Sequence, residues 1–368
     1  MIGAEGSAYL KEGEWQANLG FRWQRSHRHF VGVVEQRQRR VAKSEVVNNI
    51  DLLDFSATYA FTRQFNLSLS VPWIWATRSS LANSKDPTSR AAVGDSGVGD
   101  ISLMGRWWLW DTAKAFDHNL SLGIGVKFPT GEDGSRDTFK SGAPALRVVD
   151  QSIQPGDGGF GYVADFSAFK VIDDGKADRA VACDHAPGAG SASHCHNPDC
   201  PLSPTRVQRT ETVAYANGSY LFNPRDTNGV PTFRGTPPLT VKDAAFYEQV
   251  MSVTDQYLLR AGLTFTNVTK HPDVTFGLGL RMEGVPVNDV FGDSDGFRRP
   301  GYAVSIEPSL VWSLGPGETF SLSIPAAVQR NRLQSVADKL ATAAGPKYVQ
   351  GDAAFADYFV LAGYTRRF

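Results

Sequence analysis

Residues 118–128, "HNLSLGIGVKF", alternate almost strictly between apolar and small or polar side chains. Leu120, Leu122, Ile124, Val126 and Phe128 share one parity, and Asn119, Ser121, Gly123, Gly125 and Lys127 share the other. A period of two sends the two sets to opposite faces of an extended strand. The same pattern governs residues 65–75, "FNLSLSVPWIW", where Phe65, Leu67, Leu69, Val71, Trp73 and Trp75 oppose Asn66, Ser68 and Ser70. It returns in residues 274–282, "VTFGLGLRM", with Arg281 on the glycine-rich face.

Working outward, similar segments fall at 14–25, 50–62, 98–110, 158–171, 211–222, 249–266, 301–313, 319–330 and 354–368, which makes about twelve strands in all. Ten to fifteen alternating residues exceed the five or six usual in a soluble sheet and match a tilted strand that crosses a bilayer. The connections alternate long and short, apart from a long stretch at 172–210. Long loops on one side and tight turns on the other are the layout of an outer-membrane barrel. The expected fold is therefore all-β: a transmembrane antiparallel β-barrel of about 12 strands with long extracellular loops and mostly short periplasmic turns. Residues 1–368 read as one domain, with 172–210 as an inserted periplasmic loop. The one helical pattern, "RLQSVADKLATAAG" (332–345), predicts a short helix within a loop.

Composition sets limits on function. Hydrophobic residues make up 42% of the chain and charged residues 20%, with 36 glycines and a net charge of -1. That balance argues against a nucleic-acid partner, which would show as a basic excess or stripe. With a mean hydropathy of -0.25 and no run of eighteen apolar residues, a bundle of membrane helices is excluded while a barrel is not. The opening "MIGAEGSAYLKEGEW" lacks the basic start and apolar core of a signal peptide, as expected of a mature exported form. All eight tryptophans read as lying near strand ends, where interfacial girdles sit. The chain ends on Phe368 with Tyr364 on the same parity, which resembles the C-terminal membrane-insertion signal of outer-membrane proteins; Arg366 departs from it.

"VGDISLMGRWWLW" (98–110) followed by "NLSLGIGVKFPTGE" (119–132) resembles the outer-membrane barrel family named for the meta pathway of phenol degradation, most strongly over residues 50–135. The resemblance implies a channel or transporter in the outer membrane of a Gram-negative bacterium, for passive uptake of small, hydrophobic or aromatic molecules. Outer-membrane lipid, the barrel assembly machinery and a small-molecule solute are the partners it implies. The long-chain fatty-acid transporters are a related design with an N-terminal plug; here only about thirteen residues precede the first strand, so no such plug is expected.

On the inward parity sit Arg22, Arg106, Lys127, Asp165, Arg260, Arg281, Glu283, Glu307 and Asp357. Ionised groups avoid the lipid face, where Arg or Lys at mid-membrane costs about 2–4 kcal/mol. They predict a lumen lining, read either as a polar path or as a lumen closed by salt bridges. No catalytic motif of the G-x-S-x-G, P-loop or H-E-x-x-H kind is present, and no catalytic role is expected. A membrane phospholipase would need Ser and His near the outer rim, and no histidine is expected in mid-strand.

"CDHAPGAGSASHCHNPDC" (183–200) holds all three cysteines. Cys183, His185, His194, Cys195, His196 and Cys200 are candidate ligands for Zn or Cu. An oxidising periplasm favours a disulfide instead, closed by Cys195 or Cys183 with Cys200, and an ordinary polar loop is the third reading. Otherwise no cofactor is expected. A second functional reading follows from this loop: a non-catalytic scaffold or docking barrel that binds a metal or a periplasmic redox partner there.

Overall fold

The computed structural model describes residues 9–142, 144–174, 210–232, 242–266, 268 and 273–368. Twelve antiparallel strands close into a barrel. They are β1 (Trp15–Val31), β2 (Val47–Ala60), β3 (Phe65–Leu81), β4 (Arg90–Val98 continued by Ser102–Trp108), β5 (His118–Lys127) and β6 (Gly161–Asp174). β7 (Glu211–Phe222), β8 (Gln256–Thr266), β9 (Val274–Val285), β10 (Gly301–Gly315), β11 (Glu318–Ser323 continued by Ala326–Arg332) and β12 (Ala353–Arg367) complete it. Each strand pairs with its sequence neighbour, and β12 returns to β1 from Gln16↔Arg367 to Phe30↔Ala353. Closure removes both open edges, so the strand ladder can satisfy the spanning backbone without water.

The apolar parity faces outward. Leu19, Phe55, Leu69, Leu122, Ile124, Leu278 and Leu280 are all exposed, which is costly in water and favourable in lipid. Linked rings mark one rim of this band: Trp15 meets Tyr59, Tyr59 meets Phe61, Phe61 meets Phe65, and Phe65 meets Trp107. Trp73 with Trp75, and Phe160 with Tyr162, mark the other. Trp108 is a correction to the expected girdle. Its register opposite Ser121 turns it inward, where it packs against Tyr9 and Phe169.

Two strands are interrupted. Ser70↔Ser102 and Trp73↔Val98 bracket two residues of β3 but three of β4, so Gly99, Asp100 and Ile101 form a bulge opposite Pro72, which has no N–H to donate. β11 breaks at Ile324 and Pro325. The expected short helix is present as α2 (Val336–Ala344), started by a capping box in which Ser335 and Asp338 satisfy each other's backbone N–H groups. The basic run 37–40 forms most of α1 (Arg37–Val41), in the loop after β1. No helix among the described residues is long and apolar enough to cross a membrane.

The start of β1, the end of β12 and the short turns lie at one end of the barrel, the periplasmic end in the layout of outer-membrane barrels. The link between β6 and β7 leaves from that end. Residues 183–200 themselves lie outside the described residues.

Candidate functional site

The interior is a set of ion pairs laid across the barrel. Arg22 of β1 donates to Glu283 of β9 at 2.9 Å, a bridge between strands four places apart that runs through the lumen. Arg281 reaches the same carboxylate at 2.8 Å, and Arg260 of β8 grips Glu307 of β10 through two bonds of 2.9 and 3.0 Å. Ser323 adds a hydroxyl to Glu307 at 2.6 Å, and the guanidiniums of Arg22 and Arg281 lie over the Phe359 ring. Arg260, Arg281 and Glu307 are all buried, so this side of the interior is closely packed.

The remaining predicted lumen residues fall elsewhere. Arg106 of β4 pairs with Asp165 of β6 across β5, whose Gly123 leaves the room: a Cβ there would stand 2.1 Å from Asp165 Oδ1. Arg106 nevertheless keeps 36% of its side chain accessible. Around it the inward residues of β2 and β3, Ser56, Thr58, Ser68 and Ser70, are only half-buried. Lys127 binds Asp100 and Asp157, tying the β4 bulge to the end of the 128–160 loop just before β6. Asp357 sits nearer the extracellular end, held by Arg28 at 2.6 Å and Arg330 at 3.0 Å. Hydrogen bonds from Arg28, set against partial burial, hold the neighbouring Glu35 carboxyl down to about 2.

The extracellular mouth is occupied by the loop 128–160. Val149 and Ile153 are fully buried against the inward Ala76 and Val93, with Ile50, Ile74 and Phe139 around them. Asp150 fixes the loop, accepting from Arg299 at 2.9 and 2.6 Å and facing Arg78 at 3.4 Å. Sequence reasoning missed Arg78, Asp150 and Arg299. Continuing the parity of residues 66–74 would have placed Arg78 inward, but nothing local marks a loop aspartate as its partner.

At the periplasmic mouth, the short segment before β1 does enter the lumen, against expectation. Tyr9 donates to the Ala115 carbonyl at 2.6 Å, accepts from Asn119 at 2.9 Å and packs on Trp108 and Phe169. Its anchor lies on the β4–β6 side, while Gly13 bonds to Ala60 at the end of β2, so residues 9–14 cross part of the opening.

β1 is longer than predicted and carries His27 and His29 near its extracellular end rather than in mid-strand. His29 Nδ1 lies 2.9 Å from Asp352, an orientation seen in catalytic dyads, but its Nε2 accepts the Val46 backbone N–H at 2.9 Å. That bond occupies the lone pair a general base would need. Acidic residues of two extracellular loops are engaged by protein groups: Asp137 accepts from the Gly94 N–H, and Asp293 and Asp295 bind Lys242. Among the described residues no cluster of three or more His, Cys, Asp or Glu has the geometry to hold a metal. Tyr364 of β12 and Phe368 just beyond its end are exposed, and Arg366 between them pairs with Glu318 at 3.5 Å while lying over the Phe368 ring.

No protein-family model and no curated protein matches the chain. Among solved structures, an outer-membrane channel from Pseudomonas putida F1 aligns over 100% of both chains at a TM-score of 0.52 and 10% identity. The transport unit of the autotransporter AIDA-I from Escherichia coli aligns over 100% of this chain and 92% of its own at 0.45 and 9% identity. The toluene transporter TbuX from Ralstonia pickettii aligns over 98% and 90% at 0.37 and 9% identity. The first of these likenesses establishes the fold. A closed barrel with an aromatic-rimmed apolar exterior belongs in the bacterial outer membrane.

Proposed function

We propose that this barrel is an outer-membrane channel or transporter for the passive uptake of small hydrophobic or aromatic molecules. The observation that carries the reading is the asymmetry of the interior: one side is sealed by the Arg22–Glu283–Arg281–Glu307–Arg260 network, while Arg106 and the hydroxyl-bearing β2–β3 wall stay accessible opposite it. A barrel serving only as an anchor has no need of an accessible polar wall. The entrance is apolar, with Ile50, Ile74 and Val93 beneath the loop, and the exit is aromatic, with Trp108, Phe169 and Tyr9. Apolar walls with a few placed polar groups suit an aromatic solute better than a sugar. The description of the Pseudomonas putida structure as an outer-membrane channel supports the same reading.

The test is flux in proteoliposomes, comparing benzoate or phenol with a hexose of similar size. Faster entry of the aromatic solute is expected. Proteoliposomes no more permeable than protein-free ones to either solute would overturn the proposal.

A further inference from the structure

The outer wall carries a second feature that uptake does not use. Two rungs of outward residues cross β2, β3 and β4 side by side: Asp51, Trp75 and Ser96 form one, and Asn49, Thr77 and Gly94 form the next toward the extracellular end. Gly94 contributes no side chain, and Asp137 from the 128–160 loop bonds to its N–H at 2.8 Å, bringing Arg136 alongside. The result is a groove of about 560 Å³, within the size range of small-ligand sites.

Its chemistry differs from that of the lumen. Every charged group singled out in the lumen is bound to another protein group. Here the side chains of Asn49, Asp51, Thr77, Ser96 and Arg136 make no hydrogen bond with any described residue, although donors and acceptors stand together. Trp75 offers a half-exposed indole in their midst, at 45% accessibility. An aromatic platform ringed by amide, carboxylate, hydroxyl and guanidinium groups is suited to a saccharide ring, whose C–H face packs on the indole and whose hydroxyls both donate and accept. The height of the groove selects the source. Asp51 is in register with both Trp23 and Trp75, so the groove starts at the upper aromatic belt, where hydrocarbon gives way to the polar layer of the outer leaflet.

We infer that this groove binds the core sugars of an outer-leaflet lipopolysaccharide, with Trp75 as platform and Asp51, Asn49 and Thr77 as hydroxyl partners. The full-length barrel in detergent would be titrated with rough lipopolysaccharide, with lipid A lacking the core sugars, and with the free core oligosaccharide. Saturable binding of lipopolysaccharide is expected, with lipid A much weaker and the oligosaccharide competing. Trp75→Leu and Asp51→Asn should each weaken binding about tenfold, while Trp73→Leu, on the same belt outside the groove, should not; heat-modifiable gel migration checks that each variant is folded. Thr77→Val supplies a second polar variant if Asp51→Asn does not assemble. Equal affinity in the groove variants and the native chain, lipid A binding as tightly as lipopolysaccharide, or binding of the oligosaccharide without the intact glycolipid would each overturn the inference.

Discussion

Glu307 illustrates how much rests on single side chains inside this barrel. It is fully buried and receives Arg260, Ser323 and, at 3.9 Å, Arg281. Removing its charge leaves guanidiniums buried without their counter-ion, and breaking such a pair costs about 3–5 kcal/mol, far more than a surface bridge. Glu307→Gln is therefore expected to lower the unfolding free energy of the barrel in lipid by an amount of that order, read as a lower urea midpoint at unchanged m; an unchanged midpoint would show that water fills in around the arginines. Gly123 makes a complementary case, since its missing side chain is what lets Asp165 reach Arg106. Gly123→Ala should separate that pair and alter ion selectivity in bilayer recordings while leaving the strand pairing intact. Alternation alone marks all of these positions as inward. It does not tell which charges pair, because partners such as Arg22 and Glu283 are 261 residues apart and meet only once twelve strands have closed.

At the scale of elements, a buried carboxylate, Asp150, helps hold the 128–160 loop in the mouth beside the apolar contacts of Val149 and Ile153. Burial raises the Asp150 pKa, but Arg299 and Arg78 beside it more than offset this, leaving it well below the ordinary carboxylate range. A carboxyl depressed in the folded state stabilises it above the unfolded pKa of about 4 and loses that contribution only as pH falls through the lower folded value. Conductance should thus be flat from pH 7 to pH 5. Asp150→Asn should loosen the loop and raise single-channel conductance ~2-fold across that whole range; a native channel that opened between pH 6 and 5 would assign the latch to another group. Tyr9→Ala should act at the opposite mouth by freeing the segment before β1. The strands themselves were legible from their period of two, and α2 from its helical pattern. Their ends were not: β3 runs to Leu81 and β1 to Val31, because pairing and loop packing extend a strand past the point where lipid-facing alternation stops.

At the scale of the whole molecule, the barrel closes through β1 and β12, and its interior network joins β1, β8, β9 and β10. That link contains Cys183, His185, His194, Cys195, His196 and Cys200, and it leaves the barrel at the periplasmic end, away from the latched mouth. If flux is governed by the lumen and its two mouths, replacing all three cysteines with serine should leave aromatic-solute uptake into proteoliposomes within error of the native chain, and boiled and unboiled samples should still migrate differently on gels. The same samples can be assayed for bound Zn and Cu and for free thiols before and after reduction. Metal lost with flux unchanged would assign the loop a separate ligand-holding role; thiols that appear only on reduction would assign it a disulfide. A fall in flux in a barrel that still shows heat-modifiable migration would place the loop in the permeation path, and the proposed division between lumen and periplasmic link would fail.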